Sequence, residues 1–162
     1  MAARSSTYRI DDEPRPSAWA RLAVSPLWPL LGLMLGGTWL GLPWFAFNSV
    51  AVGSPTRTRE LTLVAVGIAG SVVIGLMLVH AVNVGYIRSA ASWQYALLLV
   101  LIWKLAIGYA LFVQQSATIE LYQYYGGVLN RFGIVVVLLA TFVLRDPIIS
   151  AIPHTLWLLV VS

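Results

Sequence analysis

Long apolar runs separated by short polar links are the feature that most constrains the fold of this chain. Of its 162 residues, 59% are hydrophobic and 10% are charged, whereas soluble domains average about 45–50% and about 25%. A run of about 20 apolar residues can cross a bilayer as a helix. Because lipid cannot satisfy backbone polar groups, helices are the expected elements. The sequence predicts an all-α integral membrane protein with about four transmembrane helices and short loops.

The polar links set the boundaries of the predicted parts. Residues 1–24 are expected to form a polar cytoplasmic segment with an interfacial end, and residues 25–162 a transmembrane helical domain. The predicted spans cover about 27–47, 61–82, 95–113 and 132–152. The third helix is expected to continue beyond its span to Tyr125, because Gly126 and Gly127 supply a natural stop.

The fourth span is the least regular, because Arg145-Asp146-Pro147 interrupts it after the apolar run Phe132 to Leu144. A helix over that run alone would be ~20 Å long, which is shorter than the ~30 Å hydrocarbon core. Two arrangements fit. In one, a helix crosses by continuing past Pro147 and the end of the chain lies along the interface; in the other, the two apolar runs form a re-entrant pair with its turn at Arg145-Asp146. We favour the first, because exposed non-helical backbone is costly in lipid.

The arginines of the links predict the orientation of the chain. Positive residues are enriched in cytoplasmic loops. With the N-terminus cytoplasmic, six arginines lie inside and three outside: Arg4, Arg9, Arg15, Arg21, Arg88 and Arg145 against Arg57, Arg59 and Arg131. We therefore expect a multi-pass protein of a bacterial inner membrane with a cytoplasmic N-terminus. The basic residues are scattered singly, which excludes a nucleic-acid partner.

Small residues recur four positions apart in the first two spans, which places them on shared helix faces. Such faces let helices approach closely in lipid. Packing between the first two spans explains much of the pattern, but two small faces on one helix could also serve an external partner. The predicted helix-packing interface comprises Gly32, Gly36, Gly37, Gly41, Gly67, Ser71 and Gly75.

Lys104 is anomalous because it lies midway along the third span. A charge at the bilayer centre costs about 3 kcal/mol on insertion scales. The first three predicted spans contain no Asp or Glu, so no carboxylate of the chain is expected at that depth. The sequence predicts a partner for Lys104 in another chain, a lipid phosphate or a cofactor carboxylate. The alternative is a lysine that snorkels towards the interface.

His80 lies near the inner end of the second span. An intramembrane histidine can be an axial ligand of haem or of a pigment, although bonding to nearby backbone is the simpler interpretation. No cofactor is required by the sequence, and His80 is the candidate ligand if one is bound. With no cysteine and two histidines, no metal site is predicted.

A polar and aromatic segment follows the third span. Glu120, Tyr122, Tyr124 and Tyr125 are predicted to form an outer docking surface. A belt of aromatic residues at the membrane interface explains the same pattern equally well.

These features favour a subunit of an assembly over a protein that functions alone. The sequence carries no phosphate-binding loop, nucleophile elbow or metalloprotease motif, so we expect no enzyme. The predicted function is a non-catalytic accessory or structural subunit of a larger membrane complex, with other membrane subunits and lipids as partners. A bioenergetic or photosynthetic assembly with nearby cofactors is one option. The alternative is a small homo-oligomeric transporter or channel with Lys104 lining the path.

Overall fold

A computed structural model describes Pro14 and residues 16–161 of the chain. A short 3-10 turn at Ala20–Leu22 precedes six helices. In chain order these are α1 Leu27–Leu35, α2 Thr38–Val52, α3 Arg57–Asn83, α4 Ala90–Tyr124, α5 Gly133–Ser150 and α6 Thr155–Val161. The predicted all-α class is confirmed for the described residues.

Three of these helices, α3, α4 and α5, are long and apolar enough to cross a membrane. Their surfaces expose large apolar side chains such as Met77, Ile102 and Phe142, which lipid would cover. The 35 residues of α4 extend about 52 Å, compared with a ~30 Å hydrocarbon core. The three helices indicate a multi-pass membrane protein.

The first predicted span, 27–47, is wrong, because this run folds as a helical hairpin. The helices α1 and α2 are joined at Gly36 and Gly37, and Gly37 has a φ of 105° that favours glycine. A Cβ on Gly41 would lie 2.4 Å from the Leu33 Cβ, so the two helices run against each other. With nine residues, α1 is about 13 Å long and too short to cross.

The C-terminal part of α2 lies beside the segment that precedes α1; we call this the open end of the hairpin. The Asn48 side chain donates to the Val24 carbonyl at 2.9 Å and accepts from the Val24 amide at 3.2 Å. Further out, the Ser17 amide donates to the Ala51 carbonyl at 3.0 Å. Residues 17–24 therefore lie at the same end of the bundle as the link between α2 and α3.

The closed end of the hairpin reaches the middle of the α3–α4 pair. Leu42 packs beside Gly67 of α3, and Leu33 packs beside Gly108 of α4. The hairpin thus enters the bundle from one end and stops partway.

Helix α5 continues through Arg145-Asp146 and past Pro147 without a turn, so the continuous helix of the favoured arrangement is present and the turn of the re-entrant pair is absent. Pro147 has no N–H to donate to the preceding turn. A π-helical segment, Ala140–Leu144, lies just before it and accommodates the changed backbone bonding. After Ser150 the chain folds back, and α6 packs on α3 at Gly75 instead of lying along the interface as the sequence predicted.

Two ends of the bundle can therefore be named. The cap end contains residues 16–24, the link 53–56, the last turns of α4 and the loop 125–132, which is joined to the N-terminal segment by a bond from the Asn130 amide to the Ala23 carbonyl. The far end contains the turns 84–89 and 151–154. Helix α4 stops at Tyr124, and Gly126 has a φ of 86°, as the two glycines predict.

The hairpin also changes the distribution of the arginines. The predicted partition separates Arg57, Arg59 and Arg131 from Arg21, but the structure places all four at the cap end. Arg88 belongs to the far end. The partition was wrong because it counted the hairpin as a crossing. Arg4, Arg9 and Arg15 lie outside the described residues.

Candidate functional site

The most concentrated buried polar cluster surrounds Glu60 at the cap end. Glu60 lies in the first turn of α3 and is completely buried. Its Oε1 accepts hydrogen bonds from the Ser54 hydroxyl and, at 2.7 Å, from the Thr56 hydroxyl. Its Oε2 accepts from the Gln115 amide at 2.9 Å. All three donors to this buried carboxylate are neutral side chains.

Local structure explains why the carboxylate lies there. The link Ser54-Pro55-Thr56 wraps over the start of α3, and both hydroxyls point to the first turn. The N-terminus of a helix carries a partial positive charge, which favours an acidic residue in the first turn. The link therefore surrounds the Glu60 carboxylate with uncharged hydrogen-bond donors.

Gln115 connects this cluster to the hairpin. Its amide nitrogen also donates to the Phe45 carbonyl of α2 at 2.6 Å. The Gln115 side chain is only 2% exposed. One side chain of α4 thereby ties α2 and α3 together.

The remaining space inside the cluster is very small. It is lined by Asn48, Ser49, Ser54, Gln115 and Thr118 among others, and it cannot hold a water molecule. The Ser49 hydroxyl and the Gln115 carbonyl oxygen have no hydrogen-bond partner among the residues that the structure describes. We infer that the cluster joins three helices and that no diffusing ligand enters it in this conformation.

Lys104 has a partner within its own chain. Its side chain is 8% exposed, and its ammonium donates to the Leu159 carbonyl of α6 at 2.8 Å. The carbonyls at the C-terminal end of a helix carry partial negative charge and bind lysine well. The sequence favoured a partner outside the chain because only carboxylates were considered as intramolecular partners, and the return of α6 was not foreseen.

The predicted small residues pack against the chain's own helices. Gly32 faces Leu40 and Trp44 within the hairpin, whereas Gly67 faces Ile107. Gly75 faces α6, and Ser71 is buried. Gly36 and Gly37 form the hairpin turn instead of a helix face. An additional role of these residues towards another subunit stays a prediction.

The two histidines lie on the surface. His80 is exposed near the far end of α3, and His154 is exposed in the turn before α6. Within the described residues, no group of three or more His, Cys, Asp or Glu side chains could hold a metal ion. The structure brings no other predicted site residue to His80.

The predicted docking residues fall into two environments. Tyr122 is buried against Ala20, Ala51 and Val52, so it supports the fold of the cap. Tyr124 is 84% exposed, and Glu120 and Tyr125 are also exposed. All of them lie at the cap end, on the same side as the N-terminal segment. The prediction of an outer surface opposite that segment followed from counting one crossing too many.

The Glu60–Gln115 pair was missed by the sequence reasoning, although a signal was present. In an antiparallel helical pair, residues equally far from the connecting turn face each other. Gly67 and Ile107, and Gly70 and Trp103, obey this relation about the turn 84–89. Glu60 and Gln115 follow the same register. The predicted turn could therefore have placed the amide opposite the carboxylate.

Comparison with known proteins gives no relative to transfer a function from. No family model, curated protein or solved structure matches the chain.

Proposed function

We propose that the protein is a non-catalytic subunit of a larger membrane complex and that it binds its partner through the cap end. The observation that carries this proposal is an exposed aromatic surface there. Trp19 is 61% exposed, Tyr124 84% and Tyr125 49%, and Glu120 is exposed nearby. We call Trp19, Glu120, Tyr124 and Tyr125 the cap surface.

The length of α4 supports a role outside the hydrocarbon region. Its apolar part ends at Val113, and Tyr124 lies 11 residues further on, or about 16 Å at helical rise. Lipid tails are therefore a poor explanation for the exposed rings. Tyrosine and tryptophan are enriched in protein interfaces, where they bury large area at low entropic cost.

The charges at the two ends support a proposed orientation of the subunit. Of the described arginines, Arg21, Arg57, Arg59 and Arg131 belong to the cap end, whereas Arg88 and Arg145 lie towards the far end. The positive-inside rule favours a cytoplasmic cap in a bacterial inner membrane. The partner would then meet the cap surface from the cytoplasm. A pigment or haem held by His80 would lie on the outside of α3, shared with a neighbouring subunit.

The alternative function, a homo-oligomeric transporter or channel lined by Lys104, receives no support from the position of that residue. Its ammonium is directed to the Leu159 carbonyl inside the chain. A path between copies would require this contact to break. We therefore favour the subunit.

Site-directed crosslinking tests the proposal directly, because the chain has no native cysteine. A photoreactive maleimide attached through Tyr124→Cys is expected to crosslink the same membrane-complex component in repeated native preparations. Met77→Cys, on the exposed face of α3 (65% exposed), serves as the matched control and should give mainly lipid adducts. The crosslinked component should also co-migrate with the untagged chain in blue-native gels.

Two outcomes would contradict the subunit. One is migration of the mildly solubilised chain solely as a monomer or a homodimer. The other is equal crosslinking from both positions, which would show that the cap surface has no preferred partner.

A further inference from the structure

A groove of about 390 Å³ lies at the cap end, between the start of α1, the end of α4 and the loop that leads into α5. Its polar lining comes from Ser25, Gln123, Asn130 and Arg131, and the Trp28 ring forms an apolar wall. This groove is separate from the buried Glu60 cluster, with which it shares no lining residue.

The walls of the groove are fixed by specific contacts. The Asn130 backbone N–H donates to the Ala23 carbonyl at 2.8 Å, and the Asn130 side-chain oxygen accepts from the Phe132 backbone N–H at 2.8 Å. A Cβ on Gly133 would lie 2.3 Å from the Trp28 ring, so only glycine allows α1 and α5 to start this close together. The groove is therefore part of the fold.

The chemistry of the groove favours a phosphate group. Arg131 is exposed and lines the groove. Beside it lie Ser25, Gln123 and Asn130, whose neutral side chains can donate hydrogen bonds. The guanidinium geometry suits phosphate oxygens. The surrounding charge is also favourable: Arg21, Arg57 and Arg59 share this end, where Glu120 is the exposed acid among the described residues.

An apolar surface leads away from the same groove along α5. Phe132 is 69% exposed directly beside Arg131, and Val135 and Leu139 are 46% and 55% exposed further along the helix. A free phosphate would use only the polar part. A phospholipid would use both, with its phosphate at Arg131 and its acyl chains along α5.

We propose that the groove is a binding site for the headgroup of an anionic phospholipid. Anionic headgroups are attracted to basic pockets beside transmembrane helices on the cytoplasmic side. The site shares no residue with the cap surface, so it does not need the proposed partner, although its place on the cytoplasmic side rests on the proposed orientation.

Native mass spectrometry of the full chain in mild detergent tests this site. We expect phosphatidylglycerol to be retained more strongly than phosphatidylcholine of the same chain length. Arg131→Gln should weaken phosphatidylglycerol binding about tenfold, because a hydrogen-bonded charge is lost. Arg59→Gln, at the same end but lining a different groove, is the matched control; it removes only a distant charge and should weaken binding less than about twofold.

A second variant tests the apolar part. Phe132→Ala should weaken the binding of the long-chain lipid. Soluble glycerol phosphate should compete for the groove as weakly in this variant as in the parent protein. Because Arg131 and Phe132 are exposed, both variants should keep the unfolding midpoint. Equal losses in Arg131→Gln and Arg59→Gln, equal retention of both lipids, or full competition by inorganic phosphate would each overturn the proposal.

Discussion

Gly41→Ala is expected to destabilise the protein by about 3 kcal/mol, the upper part of the range for overpacking a tight contact. The new Cβ would lie 2.4 Å from the Leu33 Cβ and 2.6 Å from its Cα. The Cα belongs to the backbone of α1, so no side-chain rotation can relieve the contact. The two helices of the hairpin would have to separate.

Gly32→Ala is the matched control for this substitution. Its new Cβ would meet the flexible end of the Leu40 side chain at 3.3 Å, and a small adjustment can absorb that contact. We therefore expect a cost of about 1 kcal/mol or less. Unfolding titrations of the two variants and the parent protein in mixed detergent micelles would measure the difference.

The sign of the Gly41→Ala effect distinguishes two structures of the first apolar run. In a straight helix, replacing an interior glycine by alanine gains about 1 kcal/mol of helix propensity. In the hairpin, the same change breaks a close backbone contact. A Gly41→Ala variant as stable as the parent protein, or more stable, would contradict the hairpin.

Gln115→Leu is expected to cost about 3 kcal/mol, because the Glu60 carboxylate and the Phe45 carbonyl both lose a buried donor. Leucine fills a similar volume but cannot donate to either oxygen. The loss should loosen the open end of the hairpin as well as α3. The measurement is the free energy of unfolding in the same detergent titration.

Gln114→Leu is the matched control, since Gln114 is the preceding residue, only partly buried, and its carbonyl oxygen has no partner. We expect its effect on the free energy of unfolding to be near zero.

Glu60→Gln combined with Gln115→Leu should cost less than the sum of the single changes, because no buried charge is then left without its donor. Equal costs for Gln114→Leu and Gln115→Leu would show that Gln115 does not hold the helices together.

The sequence predicted the long helices well because their evidence is local. The apolar runs of α3 and α4 are long and contain no proline, and Gly126 stops α4 as expected. The continuation of α5 past Pro147 also followed from a general cost, that of exposed backbone in lipid. These features need no knowledge of distant contacts.

The parts that were missed depend on the chain folding back on itself. The turn at Gly36 and Gly37 leaves hydropathy unchanged, so a run of constant apolarity did not distinguish a hairpin from a span. The hairpin is stabilised by Asn48 pairing with Val24, a contact between residues far apart in sequence. The position of Lys104 likewise depends on α6 returning to α4.

The hairpin of α1 and α2 implies that the first apolar run enters and leaves the membrane on one side. Single cysteines in the otherwise cysteine-free chain can test it with a membrane-impermeant maleimide in sealed vesicles of known orientation. The informative positions are Arg21→Cys before the hairpin, Thr58→Cys after it, and Tyr86→Cys at the far end as the control. The hairpin predicts that Arg21→Cys and Thr58→Cys are labelled from the same side and Tyr86→Cys from the other. Labelling of Arg21→Cys and Thr58→Cys from opposite sides would show that the first apolar run crosses the membrane and would contradict the hairpin.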